Sequence, residues 1–442
     1  MLKLSPYQIE GVEFLTSKLY ALLADDMGLG KTPQTIVAAQ DVGASAILVI
    51  CPAVARVNWR REFKVWSNYK EFTVCEKYSD GPSMLSIVSY DFATENYEVL
   101  ARFAWDLVIC DESHFIKEPT AKRTQAIYGK NGIIRNSARL WALSGTPAPN
   151  HVGELWAMLY TFGATTATYE RFIEKYCETR PTFYAGKRQQ KVVGTKNSAI
   201  AEIKTLLSSV MLRRLKREVL VGLPPISFGQ ISVDGTPLLD TIKLDMSRVR
   251  AQENGLNFSI QAAESESDIE FILEKLGDSV STLRRYVGLQ KVKSVSDLVS
   301  MELKNGQYDK LVIFAIHTDV IGQLKENLKA FGPVVVNGKV SPKNRQKAID
   351  DFQNKKSCKV FIGNILAAGT AITLTAAHQV LFVEQSWVPG ENSQAADRCH
   401  RRGQDMPVSV RFASLADSID EKVTSVLTRK ARELTQIFDK GE

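Results

Sequence analysis

Two series of short apolar runs, separated by helix-competent segments, restrict what this chain can fold into more than any other feature. The first comprises Ala46–Cys51 (AILVIC), Ser86–Ser89, Leu107–Cys110 (LVIC) and Leu140–Leu143. The second comprises Leu311–Ile316 (LVIFAI), Val334–Val336, Val360–Gly363, Val380–Glu384 and Val408–Phe412. Strand-length runs that are apolar on both faces and alternate with helices predict parallel sheets covered on both sides. The expected fold is therefore α/β, with two doubly wound parallel-sheet lobes and helical insertions. The 442 residues are enough for two to three domains at about 150 residues each. Residues 1–225 read as the first lobe, with a helical and hairpin protrusion over 150–221. Residues 226–442 read as the second, with a helical insertion over 238–303, and Gly222-Leu223-Pro224-Pro225 as the linker.

At the start, Ser5 to Tyr20 places Ile9, Val12, Leu15 and Leu19 on one helical face, with Pro6 in the first turn after a Ser cap. At the end, a helix from Asp417 is expected, with Ser418 and Glu421 as a capping box and Ile419, Val423, Val426 and Leu427 as its apolar face.

In a doubly wound sheet, ligands sit beyond the carboxyl ends of the strands, and the polar motifs fall there. The stretch Asp25-Asp26-Met27-Gly28-Leu29-Gly30-Lys31-Thr32 reads as a phosphate-gripping loop. Its glycines let backbone N–H groups turn inward, Lys31 brings a point charge, and the Thr32 hydroxyl can ligate magnesium. The strict pattern G-x-x-x-x-G-K-[ST] fails at one position, where Asp25 replaces the first glycine. After the run Leu107–Cys110 stand Asp111 and Glu112, the former suited to hold magnesium near bound phosphates and the latter to polarise an attacking water. Ser144-Gly145-Thr146-Pro147 follows another apolar run. Far downstream, Gln394, Asp397, Arg398 and Arg401 would share a face on a continuous helix. An arginine presented to a γ-phosphate accelerates its hydrolysis by about 10³- to 10⁵-fold.

The net charge of +7 leans toward an anionic partner. Two clusters could supply the contacts: Arg213, Arg214, Lys216 and Arg217, and the aromatic-bearing stretch from Phe183 to Lys191, with Lys187, Arg188 and Lys191, which reads as a hairpin or loop. The six cysteines lack C-x-x-C spacing, so neither a zinc site nor a disulfide framework is expected. No run of about 18 apolar residues occurs, and the N-terminal stretch lacks a signal-peptide pattern, so a soluble intracellular protein is expected.

The ordered set DDMGLGKT, DESH, SGTP and QAADRCHRRGQ resembles the Swi/Snf-type group of superfamily two helicases and translocases. LSPYQIEGVEFL is similar to that group's adenine-reading motif, and the group's own phosphate loop carries an acid at the position of Asp25. CPAVARVNWRREFKVW, IVSYD, LLSSVMLRRLKREVLVGLP and GNILAAGTAITLTAAHQVLFVEQSWVPG extend the match over nearly the whole chain. Within the group the likeness is strongest to the branch containing annealing helicases, which remodel forks.

The resemblance implies two RecA-like lobes gripping the sugar-phosphate backbone of duplex or branched DNA, ATP and Mg2+ as cofactors, and DNA-dependent hydrolysis. It assigns Gln8 to adenine, and Asp26, Gly28, Gly30, Lys31, Thr32 and Gln394 to the nucleotide. Asp111 and Thr32 fall to the metal, Glu112 to the attacking water, and Arg398 and Arg401 to the γ-phosphate. A monomer without membrane association is expected. The motor-sized chain suggests a compact enzyme of the cytoplasm or nucleoid of a bacterial or phage-infected cell. A conventional strand-separating helicase, a non-hydrolysing DNA-binding scaffold and, less so, a chromatin remodeller stand as alternatives.

Overall fold

A computed structural model describes residues 3–69, 73–74, 83–148, 151–184, 187–220, 222–238, 244–263, 272, 280–365 and 372–428. The chain divides into two compact units, Met1–Val219 and Leu220–Glu442. The division falls just ahead of the Gly-Leu-Pro-Pro stretch, which goes with the second unit: His400 Nε2 lies 2.7 Å from the Pro224 carbonyl oxygen.

In the first unit the strands are β1 (Tyr20–Leu23), β2 (Ile47–Cys51), β3 (Thr73–Val74), β4 (Leu85–Ser89), β5 (Leu107–Asp111), β6 (Leu140–Leu143), β7 (Cys177–Tyr184), β8 (Lys187–Thr195) and β9 (Met211–Leu212). Seven of them form one parallel sheet in the order β3-β4-β2-β5-β6-β1-β9. All five residues of β2 are fully buried, as a strand covered on both faces requires. Burying each of its large side chains contributes about 1.5–3 kcal/mol.

The second unit holds β10 (Ile226–Val233), β11 (Leu311–Ala315), β12 (Val334–Val336), β13 (Val360–Asn364), β14 (Gln379–Phe382) and β15 (Val408–Leu415). These make a second parallel sheet, ordered β10-β15-β14-β11-β13-β12. Helices Met246–Gln261 and Ser281–Lys304 precede β11 and supply much of the expected insertion. Helix 419–428 buries Ile419, Val423, Val426 and Leu427 as anticipated. Glu421, expected in its capping box, accepts a hydrogen bond from the Ser232 hydroxyl at 3.3 Å.

The opening segment needs correction. Its helix runs only over Pro6–Thr16 and buries Tyr7, Gln8, Gly11, Val12 and Leu15, while Ile9 and Leu19 are about half exposed. Residues 17–19 lie beyond its end, and Tyr20, expected as its last residue, opens strand β1, which pairs along its whole length with β6. Gly11 is what allows the helix to lie close against helix Lys31–Asp41, because a Cβ there would fall 1.8 Å from Gln34 Oε1.

The expected hairpin forms as the antiparallel pair β7–β8, separate from both large sheets. Lys187, Arg188 and Lys191 lie on β8, but their side chains, and Gly186, lie outside the described residues. So do Gly369 and its neighbours at 366–371.

Candidate functional site

Strands β4, β2, β5, β6, β1 and β9 are consecutive and parallel, so their carboxyl ends line up along one edge of the sheet. Each delivers a polar group there. Beyond β1 comes the loop 24–30, in which Gly28 and Gly30 have φ of 85° and 76°, a conformation open to glycine at little cost. Gly30 is doubly constrained, since a Cβ would also sit 2.4 Å from Gln8 Nε2. Lys31 Nζ curls back to donate to the carbonyl oxygens of Asp25 at 2.6 Å and Asp26 at 3.3 Å. Helix Lys31–Asp41 starts at Gly30 without a side-chain cap, so its first N–H groups face the loop, an arrangement suited to an anion. Thr32 stands in that first turn. Gln8 is tied in at both ends of its amide: Oε1 accepts from Ser5 N at 2.9 Å and Nε2 donates to the Leu29 carbonyl at 3.1 Å.

β5 ends at Asp111. Trp59 Nε1 donates to Asp111 Oδ2 at 2.7 Å, the Glu112 N–H donates to Oδ1 at 3.1 Å, and the Tyr90 hydroxyl donates to the Asp111 carbonyl at 2.8 Å. Glu112 itself is held at φ 52°, ψ 54°, a left-handed conformation that costs a non-glycine residue about 1–3 kcal/mol. Burial, and then the Glu112 charge, push the Asp111 carboxyl up to about 6. Burial lowers the Lys31 ammonium, against the pull of Glu112, Asp25, Asp111 and Asp26. His114 Nδ1 lies 3.2 Å from Ser144 Oγ and 3.5 Å from Glu112 Oε2. Burial, and then the Lys117 charge, depress His114 to about 4, so the ring is neutral at pH 7. Beyond β6, a Cβ on Gly145 would fall 3.5 Å from Lys31 Nζ and 2.7 Å from Met27 Cγ. The phosphate loop, the two acids and Ser144-Gly145-Thr146 thus converge.

Among the described residues no group of three or more His, Cys, Asp or Glu side chains could hold a metal ion by themselves. A divalent ion here would therefore draw on Asp111, the Thr32 hydroxyl and oxygens of the bound phosphates, the donor set that suits Mg2+. The residues fit: a cation would offset the burial and the neighbouring Glu112 charge, which together disfavour the ionised Asp111 carboxyl.

The basic cluster after β9 is where the structure departs furthest from expectation. Arg214 is buried and grips the fully buried Asp25, with Nε to Oδ1 at 3.0 Å and Nη2 to Oδ2 at 2.6 Å. Its Nη2 also donates to Gln34 Oε1 at 2.8 Å, its Nη1 donates to the Tyr7 carbonyl, and its guanidinium lies 5.4 Å from the Tyr7 ring centroid. Arg213 Nη1 donates to the carbonyls of Ala24 at 3.0 Å and Gly145 at 3.1 Å, and its Nη2 lies 3.4 Å from Asp26 Oδ1. Asp26 Oδ2 accepts from Lys216 N at 3.0 Å. The two arginines expected to reach DNA instead brace the nucleotide loop, because β9 pairs in parallel with β1 and sends them to the same edge. Asp26, expected on the nucleotide, is taken up by the same bracing. Asp25 thereby gains a physical role: the residue that breaks the strict glycine pattern anchors the loop from beneath.

In the second unit, helix Pro389–Ala396 carries Gln394 but ends before the arginines. The expected continuous helical face over Gln394, Asp397, Arg398 and Arg401 is therefore corrected: residues 397–400 form turns, with Arg398 N bonded to the Ala395 carbonyl at 3.1 Å. Gln404 ties the segment after these turns to the chain ahead of β14, donating to the carbonyls of Thr375 at 3.2 Å and Ala377 at 2.8 Å, and to that of Cys399 at 3.0 Å. Arg398 is buried, and Arg401 Nε donates to the Asp397 carbonyl at 3.0 Å.

Sequence reading missed Trp59 and Tyr90 as partners of Asp111. The signal available was an aromatic one turn into the helix after β2 and another directly after β4, on either side of an acid-bearing strand end.

Residues 7–234 match the model of the SNF2-related domain, and 290–403 that of the helicase conserved C-terminal domain. The chain is 28% identical to the DNA annealing helicase and endonuclease ZRANB3 of Bos taurus, over 97% of its own length and 40% of that protein. It is 30% identical to the SWI/SNF-related matrix-associated actin-dependent regulator of chromatin subfamily A-like protein 1 of Xenopus tropicalis, over 98% of its length and 45% of the relative. The chain thus spans less than half of these relatives. Among solved structures, the Sulfolobus solfataricus SWI2/SNF2 ATPase core in complex with dsDNA aligns over 100% of this chain and 94% of that one, at 25% identity and a TM-score of 0.46. A family match over half of the chain, joined to a phosphate loop and paired acids at one sheet edge, places the protein in the SNF2-related family of helicase-type ATPases.

Proposed function

We propose that this chain is a DNA-dependent ATPase that translocates on duplex DNA and remodels branched junctions such as forks and four-way crossings. The observation that carries the reading is the meeting of Lys31, Asp111, Glu112 and Gly145 at adjacent strand ends, in a chain similar over nearly its whole length to an annealing helicase. Lys31 and the N–H groups of the loop neutralise the terminal phosphates. Asp111 and Thr32 would hold Mg2+, which would supply charge screening at the phosphates. Glu112, fixed by its own backbone, aligns the attacking water and takes its proton, with neutral His114 beside it. Arg401, with Arg398 and Gln394, serves the γ-phosphate during hydrolysis. The positive net charge fits a partner gripped through its phosphates, and such grip weakens steeply with salt.

The test is ATP hydrolysis measured in parallel with strand-exchange products on a panel of linear duplex, tailed duplex, fork and four-way junction. Hydrolysis stimulated by duplex DNA, with branch migration of the fork and junction, is expected, and Lys31→Ala abolishes both. Unwinding of the tailed duplex with branched substrates untouched would replace the reading by a conventional helicase. Equal hydrolysis with and without DNA would remove it.

A further inference from the structure

Three stacked rings connect the two acids at the end of β5. Phe115 is 44% exposed, so core burial is not what fixes its side chain. Two neighbouring rings do. Its centroid lies 4.9 Å from that of His114, with the planes 30° apart, and 5.6 Å from that of Tyr90, at 22°. The Arg123 guanidinium lies 5.7 Å from the centroids of both Phe115 and Tyr90, and donates to Asp91 Oδ1 at 2.8 Å. Each ring stacked on Phe115 reaches one acid. His114 Nδ1 lies 3.5 Å from Glu112 Oε2, and the hydroxyl of the buried Tyr90 donates to the Asp111 carbonyl at 2.8 Å. Phe115 also closes the turn after β5, its N–H donating to the Glu112 carbonyl at 3.0 Å. A left-handed non-glycine residue such as Glu112, at φ 52°, persists only where its surroundings over-determine it. Phe115 contributes to that twice, through its backbone and through its ring.

We propose that Phe115 is a positioning residue for ATP hydrolysis: its ring, stacked on both His114 and Tyr90, holds Glu112 in one orientation relative to Asp111. This rests on the reading of the chain as an ATPase and names what aligns its general base. The contacts of His114 with Glu112 and with Ser144 Oγ, at 3.5 and 3.2 Å, are both made by Nδ1, an edge about which the imidazole can pivot. A ring laid on its face removes that freedom. Stacking is directional, because the quadrupole of each ring favours an offset arrangement, so an aromatic side chain fixes orientation where an aliphatic one of similar volume only fills space. Tyr90 anchors the other end, since its hydroxyl is tied to the strand that carries Asp111.

The experiment compares wild type, Phe115→Leu and Phe115→Tyr in the full chain, with duplex DNA present. It measures kcat and KM for ATP, affinity for a fluorescent ADP analogue, and the melting midpoint. The backbone bond to Glu112 survives both substitutions, so the variants isolate the ring. A reacting group misplaced by about 1 Å costs about 100-fold in rate, and a carboxylate loosened rather than displaced predicts a fall in kcat of about tenfold for Phe115→Leu. KM, analogue affinity and the melting midpoint stay at their wild-type values in that variant. Phe115→Tyr keeps the stacking face and restores most of kcat. A wild-type kcat in Phe115→Leu overturns the proposal. So does a loss shared by kcat, analogue affinity and melting midpoint, which makes the ring ordinary packing, and so do equal losses in the Leu and Tyr variants, which remove stacking as the cause. If wild type hydrolyses no ATP, the underlying reading fails before the variants are compared.

Discussion

Replacing Arg214 by Met decides between two roles for the same residue. In the structure, Asp25 has no exposed surface, and Arg214 gives it two charge-assisted hydrogen bonds at 3.0 and 2.6 Å while also bonding Gln34 and Tyr7. Methionine keeps most of the apolar stem and removes the charge. Leaving one member of a buried pair uncompensated costs about 3–5 kcal/mol. For a unit of this size each kcal/mol lowers the melting midpoint by about 2–4 °C, so a fall of roughly 6–20 °C is expected. A surface phosphate contact predicts something else: a stability change within about 0.5 kcal/mol and a shallower salt dependence of DNA binding. Thermal denaturation and a DNA titration at several salt concentrations, run on the same preparation, separate the two. The paired variant Asp25→Asn/Arg214→Met should recover much of the loss, since the two residues act as a unit. Asp25→Gly, which completes the strict phosphate-loop pattern, should destabilise the protein and bring no gain in ATP affinity. A midpoint within 2 °C of wild type for Arg214→Met, with weakened DNA binding, would refute the bracing role.

Other consequences are equally direct. Gly30→Ala meets both a φ of 76° and a Cβ 2.4 Å from Gln8 Nε2, so ATP affinity, followed by a fluorescent analogue, should drop at least tenfold with the second unit's stability unchanged. Asp111 and His114 load stability with opposite signs. The Asp111 carboxyl is raised to about 6, so its ionised form costs stability above that pH and nothing below the usual carboxylate range; Asp111→Asn should raise the melting midpoint at pH 8, lose that gain near pH 4, and abolish hydrolysis. His114 is depressed to about 4, so the unfolded chain takes up its proton first as pH falls from about 6.5; His114→Gln should gain stability at pH 4–5 and show none at pH 8. Glu302→Gln should destabilise the second unit, because it weakens a buried carboxylate that receives Arg411 at 2.5 and 2.8 Å and the Tyr308 hydroxyl at 2.6 Å.

Strands such as β2, β5 and β11 could be read from sequence because burial on both faces demands unbroken apolar runs. β10 could not, since its half-exposed edge position admits Ser227, Gly229 and Gln230. Nor could β1, where four apolar residues, separated from an amphipathic helix by only three, are too few to show a change of period. The phosphate loop and the acids were legible because their chemistry needs fixed residue types at fixed spacing. Arg213 and Arg214 were not: a basic run looks solvated until pairing of β9 with β1 sets it beside Asp25 and Asp26. The arginine segment at 398–401 misled through its spacing, which suits a helix; the bonds of Gln404 to Thr375 and Ala377 are long-range contacts invisible to local periodicity.

Gln8 bonds Leu29 and Gly11 abuts Gln34, so the first helix is spliced to the nucleotide loop at two points some distance apart along its axis. Whatever stiffens the loop stiffens that helix. Amide hydrogen exchange over residues 6–16 thereby becomes a label-free gauge of nucleotide occupancy, read from a helix that meets the loop through Gln8.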